Sequence, residues 1–219
     1  MTDLLGTAAA LVAAGASMQE PEFYDAALTG DGEPAMLPLH ASPWLPVYQE
    51  AARWIPSSAP VVDLGCGTGR FLALLAQTSH HATLAGVDFA AAAVAEARNY
   101  LRGVFDDDVD FYHRCTFDVI DLREWQPASG MDRSSFVCLE VLEHLVDDLD
   151  LVARVPAGAQ LVFSVPSYMS ASHVRCFTSI SSVFHRFGGL LDIRRWSKYE
   201  FGAGNLIHIC DSVRRAGTW

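Results

Sequence analysis

Two groups of residues in this chain have the types and spacing to do chemistry. The first is the loop in VVDLGCGTGRF, where Gly65, Gly67 and Gly69 follow Asp63. Glycines so spaced let the main chain turn with positive φ and let a ligand approach without a Cβ in the way. Backbone N–H groups at the start of a following helix would then face a carboxylate or a phosphate. The second group is Glu140, Glu143 and His144 in FVCLEVLEHLVDD, with His173 further on in SASHVRC. At i, i+3 and i+4 the first three share one face if a helix has begun by Glu140. Two carboxylates and an imidazole suit a divalent ion such as Mg²⁺, Mn²⁺ or Zn²⁺, with His173 as a fourth ligand. Without a metal, His144 is a general base or hydrogen-bond partner of a nucleophile, oriented by Glu143. In a third reading Glu140 caps the helix and His144 is a satisfied histidine. The residues by themselves leave all three open.

Such groups need strands that end where they begin. VVDLG is a short apolar strand, and GRFLALLAQTS a helix opening directly on the glycines. ATLAGVDF and AAAVAEARNYL repeat the strand and helix, and Asp88 ends the second strand. FDVID is a third strand, SSFVCLEV a fourth that leads into a helical LEHLVDDLDLVARV, and AQLVFSVPS a fifth. SSVFHRFG has helical character, and LLDIRRWSKYEF and NLIHICDSVRR form an antiparallel strand pair. Strands alternating with helix-length segments predict an α/β fold with a mainly parallel sheet covered on both faces. Ligands in such sheets sit at the carboxyl ends of the strands, where both groups fall. Upstream, Val47 to Ile55 has helical spacing, and Glu20 to Pro46 is rich in Pro, Gly, Asp and aromatics without a clean period. Residues 1–56 therefore read as an N-terminal helical and loop segment, a lid in which Tyr24, His40 and Tyr48 could reach a ligand. Residues 57–219 read as the α/β domain.

The form DxGxGxG, followed by GVDF at the end of the next strand, resembles the class I S-adenosylmethionine-dependent methyltransferases. The dinucleotide fingerprint would need Gly or Ala where Arg70 stands, which argues against a nicotinamide-linked reductase. FVCLEVLEHLVDD resembles the fourth motif of these methyltransferases, nearest to the ubiquinone-biosynthesis O-methyltransferase group. FSVPSYMSASHVRCFT is similar to the VPN…HxRxF segment of related small-molecule enzymes, with Ser167 where Asn is usual. That change weakens any role carried over from an Asn side chain.

The resemblance covers residues 60–177. It implies a Rossmann-like methyltransferase fold, a mostly parallel seven-stranded sheet with an antiparallel C-terminal strand and helices on both faces. It implies S-adenosylmethionine as cofactor. Asp63, Gly65, Cys66, Gly67 and Gly69 would lie on its methionine side, and Asp88 with Phe89 at the ribose. Asp121, with Leu122 beside it, would meet the adenine amine, unless Asp121 is only a turn or cap residue. Glu140 would stand beside the sulfonium, and Tyr24 could cover the methionine end. The Glu-x-x-Glu-His element is similar to that of ubiquinone-pathway and small-RNA 2′-O-methyltransferases, groups with known metal dependence.

Composition narrows the partners. The 219 residues carry a formal charge of −11, which opposes binding to a polyphosphate backbone. Arg194, Arg195, Arg214 and Arg215 are too few to imply a nucleic-acid groove, so a small-molecule acceptor is expected. The apolar stretch from Leu4 to Ala16 follows Asp3, lacks a basic flank and is too short to span a bilayer. The five scattered cysteines form no CxxC pair, which points to a reducing cytoplasm. A binding protein without catalytic activity and an RNA 2′-O-methyltransferase remain as alternatives to a small-molecule enzyme.

Overall fold

The first strand, β1 (Val61–Leu64), is buried at every position, as a strand covered on both faces must be. It emerges in a computed structural model that describes residues 19–20, 39–78, 83–105, 114–200, 202 and 204–217. Helix α1 (Leu45–Trp54) precedes β1, and α2 (Arg70–Thr78) follows its glycine loop. Then come β2 (Leu84–Asp88), α3 (Ala91–Val104), β3 (Cys115–Val119) and β4 (Ser135–Leu139). The chain closes with α4 (Asp148–Arg154), β5 (Gln160–Pro166), α5 (Ile180–Phe187), β6 (Leu191–Glu200) and β7 (Leu206–Arg214). The strand order is β3-β2-β1-β4-β5-β7-β6. All pairings from β3 to β5 are parallel, and β7 runs antiparallel to both β5 and β6. The expected sheet, with its one reversed C-terminal strand, is the sheet observed.

Alternate residues of each strand enter two cores. Val62, Leu64, Phe136, Cys138 and Phe163 pack with Leu151 and Val152 of α4 and Phe187 of α5. Val61, Leu84, Val137, Val162 and Ile209 pack on the opposite face with Val47 of α1, Leu72 of α2 and Leu101 of α3. Helix α1 thus lies on the sheet itself, against β5 and β7. After β1 the chain builds outward through β2 and β3, then returns to place β4 on the other flank of β1. The crevice between the carboxyl ends of β1 and β4 is the topological switch point where α/β sheets bind ligands.

Beyond β4 the structure corrects the expected helix. Glu140 has φ 55, so the chain turns out of the strand instead of entering a helix. Leu142–His144 form a turn, and α4 begins only at Asp148. The cause lies in the segment after β5. Arg175 donates from Nη1 to Leu142 O (2.9 Å) and Leu145 O, and from Nη2 to Val146 O (2.9 Å). These carbonyls would have accepted helical N–H groups, and the guanidinium takes them instead. Arg175 Nη1 also lies 3.1 Å from Asp148 Oδ2, and Arg186 of α5 donates to the same buried carboxylate from Nη2 (2.5 Å) and Nε (3.2 Å). Val174 N donates to Glu143 O at 2.8 Å. The loops after β4 and β5 are therefore fastened to each other through Arg175 and Asp148.

Two expected outcomes follow. Replacing Arg175 by Met leaves the Leu142 and Leu145 carbonyls without the guanidinium in a part-buried setting and the buried Asp148 with Arg186 as its remaining cation, a loss of about 2–3 kcal/mol. Arg175→Lys rescues little, because an ammonium cannot serve four acceptors spread over one loop. Denaturant unfolding measures this, and a change below about 1 kcal/mol for Arg175→Met would show the clasp to be incidental. In the glycine loop, a Cβ on Gly69 would stand 2.9 Å from Ala97 Cβ and 3.3 Å from Ala97 Cα, whereas one on Gly67 meets nothing within 4 Å. Both have positive φ, 72° and 49°. Gly69→Ala therefore adds overpacking of about 1–3 kcal/mol to the backbone strain that Gly67→Ala incurs alone. Equal losses in the two variants would contradict the α2–α3 contact.

Candidate active site

At the end of β1 the chain folds back over β2. Gly65 N and Cys66 N both donate to Val87 O, at 2.8 and 3.0 Å. Gly67 N donates to Asp88 Oδ2 at 2.9 Å, and Ala90 N to Asp88 Oδ1 at 3.0 Å. The Asp88 carboxylate thus joins the loop after β1 to the start of α3. Expected as an acceptor for ribose hydroxyls, it also shapes the loop.

A cavity of about 220 Å³ opens over this loop. Gly65, Gly67, Asp88, Phe89, Asp121, Leu122, Glu140 and His144 all line it, eight of the residues singled out from sequence. Cys66 is buried beneath the loop, and Gly69 packs on α3, so neither lines the cavity. Asp63 also lies below the surface, 3% exposed. Tyr24 falls outside the described residues, His40 is exposed, and Tyr48 packs edge-on against Phe71 with ring centroids 5.8 Å apart. Gln19, Arg123, Val141 and Leu145 line the cavity without having been singled out. Arg123 had a signal in the sequence, an opposite charge two residues after Asp121. Its Nε and Nη2 donate to Asp121 Oδ2 at 2.8 and 2.5 Å, which holds that carboxyl below its usual range.

At the other end of the cavity, Ser164 fixes Glu140. Glu140 N donates to Ser164 Oγ (3.0 Å), and that hydroxyl donates to Glu140 Oε1 (2.8 Å). Among the described residues Glu140 alone is a non-glycine with positive φ. Strain of this kind, about 1–3 kcal/mol, persists where neighbours over-determine the backbone, and it gathers at functional sites. Burial raises the Glu140 carboxyl to about 7.

Glu143, His144 and His173 converge although no helix aligns them, with one potential ligand atom from each lying within 4.8 Å of the others. Glu140 is not part of this group, so three of the four expected ligands meet. Both imidazoles are oriented by backbone: His144 Nδ1 lies 3.0 Å from Ser172 O, and His173 Nδ1 lies 3.1 Å from Tyr168 O. Each Nδ1–H therefore donates to a carbonyl, leaving Nε2 with a lone pair. Burial pushes His144 down to about 4 and lowers His173, so both are neutral near pH 7. Glu143 has no exposed surface, and neither carboxylate oxygen has a hydrogen-bond partner. Burial and the nearby Glu140 raise its pKa, against the pull of Arg175. A buried carboxyl facing two imidazole lone pairs must either keep its proton or meet a cation. The donor set, one carboxylate and two oriented imidazoles, fits a divalent ion.

Burial also acts on Asp63, which is raised to about 8 with help from the charge of Asp88. The folded chain keeps a proton there that the unfolded chain loses near pH 4. That stabilisation is complete at low pH and disappears as pH rises towards about 8. His144 and His173 titrate below their ordinary 6.5 in the folded state, so they oppose this trend only on the acid side. Stability of the ligand-free protein should accordingly fall between about pH 6.5 and 8, and Asp63→Asn should flatten the fall. Denaturation midpoints across that range test it, and a rise in the wild-type chain would contradict the burial of Asp63.

With this geometry in view, the likenesses to known proteins have a physical content. Residues 61–156, from β1 through α4, match a family model described as a methyltransferase domain. Trans-aconitate 2-methyltransferase of Escherichia coli is 33% identical over 122 residues, 52% of this chain and 42% of the relative. The chain thus spans less than half the length of the curated relatives it matches. Among solved structures, the 4+2 cyclase SpnF superposes with a TM-score of 0.68 at 13% identity, covering 93% of this chain and 100% of that one. Magnesium protoporphyrin IX methyltransferase from Synechocystis PCC 6803, solved with bound S-adenosylmethionine, gives 0.61 at 18% identity, covering 91% and 93%. These structural likenesses establish the fold, and the sequence matches reach the glycine loop and the segment after β4. Over residues 61–156 the chain is thus similar to a methyltransferase domain, and its fold is the one shared with a methyltransferase solved with bound S-adenosylmethionine.

Proposed function

We propose that this chain transfers a methyl group from S-adenosylmethionine to an oxygen or nitrogen of a small-molecule acceptor. The observation that carries the reading is the continuity of one cavity, from Asp121 and Asp88 past the glycine loop to Glu140 and His144. In it the loop, with Asp63 beneath it, takes the methionine part, Asp88 and Phe89 the ribose, and Asp121 with Leu122 the adenine. Gln19 lines the cavity and Glu20 stands 4.0 Å from Arg123, so these two residues would form part of its cover. No described helix is long and apolar enough to cross a membrane, and the cysteines are free thiols, which fits a reducing cytoplasm.

When bound, the cofactor supplies a methyl whose bond to sulfur breaks, the electron pair staying on sulfur, as the acceptor atom bonds to carbon. The chain's part is to hold the acceptor in line, exclude water and take its proton. His144 is the acceptor of that proton at Nε2, since Nδ1–H is committed to Ser172 O. Protonated His144 then lies beside Glu143, whose Oε1 is 3.7 Å from Nε2. In a second, competing reading the Nε2 atoms of His144 and His173 and the Glu143 carboxylate would instead hold a divalent ion, whose chemistry would be to lower the pKa of an acceptor hydroxyl in place of a base at His144.

Incubating the chain with methyl-labelled cofactor and a panel of small alcohols, phenols and amines should yield labelled product and adenosylhomocysteine. No transfer to any acceptor, by a protein that binds the cofactor, would turn the reading to a binding protein. His144→Ala should lower kcat by about 100-fold or more. On the second reading, chelation should abolish turnover, and one of Mg²⁺, Mn²⁺ or Zn²⁺ should restore it. Glu143→Gln should lose bound metal on elemental analysis while keeping its affinity for adenosylhomocysteine. Full activity in metal-stripped protein would remove the ion and leave His144 as an unassisted base.

A further inference from the structure

We infer that the outer edge of β6 is an interface for a second copy of this chain. The copy adds antiparallel to β6 about a two-fold axis through Ser197 and continues the sheet from one molecule into the next. The sheet ends in two strands, β3 and β6. An edge strand presents unpaired backbone groups, which proteins keep short, cover or pair. The edge at β3 is short and partly covered. It has five residues, and Arg98 of α3 donates from Nη2 to Phe117 O at 2.5 Å. The edge at β6 is neither. It has ten residues without Pro or Gly, and beyond a bulge at Arg194 it follows β7 in one register from Arg195 to Glu200. Arg215 takes Leu191 O at 3.1 Å, but from Asp192 to Lys198 no side chain among the described residues bonds the main chain. Trp196, in the middle of that stretch, is 46% exposed.

The occupant follows from charge. A two-fold axis perpendicular to a sheet keeps every side chain on its own face, so residues opposite each other must share a face. The axis therefore passes through a residue. Through Ser197 it sets Trp196 against Lys198 of the copy, Arg195 against Tyr199, and Arg194 against Glu200. Each contact is made twice, and every cation of the stretch meets an aromatic ring or a carboxylate. Neighbouring registers bring like charges together. An axis through Trp196 opposes Arg194 to Lys198 and Asp192 to Glu200, and one through Arg195 or Lys198 opposes that cation to itself. One through Tyr199 leaves only Lys198 to Glu200 paired within the strand. Charges that usually guard an edge are thus attractive in one register and repulsive in its neighbours. Arg195 pairs with Asp211 at 2.7 Å and lies over the Trp54 ring, yet its side chain is 53% exposed and can still meet the copy. Arg194 stands 3.6 Å from Asp192 with both side chains more than half exposed, so it too is within reach.

Sedimentation equilibrium of the full chain under reducing conditions, from about 1 to 500 μM, should show a reversible dimer, since one added strand pair makes a small and weak interface. Trp196→Lys, a change at an exposed position, opposes Lys to Lys198 twice and should raise the dimer dissociation constant at least about tenfold. Adding Lys198→Glu to that variant turns both contacts into opposite-charge pairs and should bring association back. Ser197→Cys, on the axis, should give a covalent dimer on mild oxidation, well beyond the wild-type chain with its five free thiols. Lys198→Cys, diagonal to its own copy, should not. A monomer throughout the concentration range overturns the proposal. So does a dimer that Trp196→Lys leaves intact, one that Lys198→Glu fails to restore, or one in which Ser197→Cys does not cross-link.

Discussion

The hydrogen bond from Gly67 N to Asp88 Oδ2, 2.9 Å long, ties the end of β1 to the end of β2 and so sets the floor of the crevice. Through it the glycine loop, the start of α3 and the cavity wall become one unit, because the other oxygen of the carboxylate accepts Ala90 N. Gly69 then drops against Ala97 of α3, where a Cβ would collide, and α2 can leave the loop close to its neighbour. Loss of this bond would free the loop from β2 and blur every contact expected along it. The carboxylate is buried, and it orients the loop from the end of the neighbouring strand.

The opposite wall is built on a different principle, the enforced turn at Glu140. Ser164 of β5 holds both the backbone and the carboxyl of Glu140, and Arg175 captures the carbonyls that would otherwise carry a helix. These contacts offset the strain of φ 55. They also bring Glu143 and His144 against His173, residues separated by about thirty positions in the chain. Neutral imidazoles and a carboxyl short of hydrogen bonds follow directly from that burial.

Much of this was legible in the chain. The short apolar strands and the glycines between β1 and α2 are local signals, and local physics decides them. The loop residues, Asp88 and Asp121 fall in one cavity because each directly follows a parallel strand, and those strand ends lie side by side. The helix expected from Glu140 to His144 did not form, since its spacing is helical but a distant guanidinium and a serine on the next strand override it. Glu140 was consequently grouped with the wrong partners. The Arg175–Asp148–Arg186 clasp was invisible because its members are charged residues of ordinary spacing, brought together only by tertiary structure. Arg123 could have been found from Asp121, and Gln19 carried no signal at all.

The central claim is that the loop after β1 and the carboxylate of Asp88 form a site for an adenosyl sulfonium, not for a dinucleotide. Isothermal titration of the purified chain with adenosylhomocysteine and with NADH decides it most directly, repeated on Asp88→Ala. Removing a charged acceptor from two hydroxyls forfeits about 1.5–3 kcal/mol for each bond. The account predicts saturable adenosylhomocysteine binding, a loss of about tenfold or more in the folded variant, and no comparable affinity for NADH. Tighter binding of NADH, or an affinity for adenosylhomocysteine unchanged by Asp88→Ala, would contradict it.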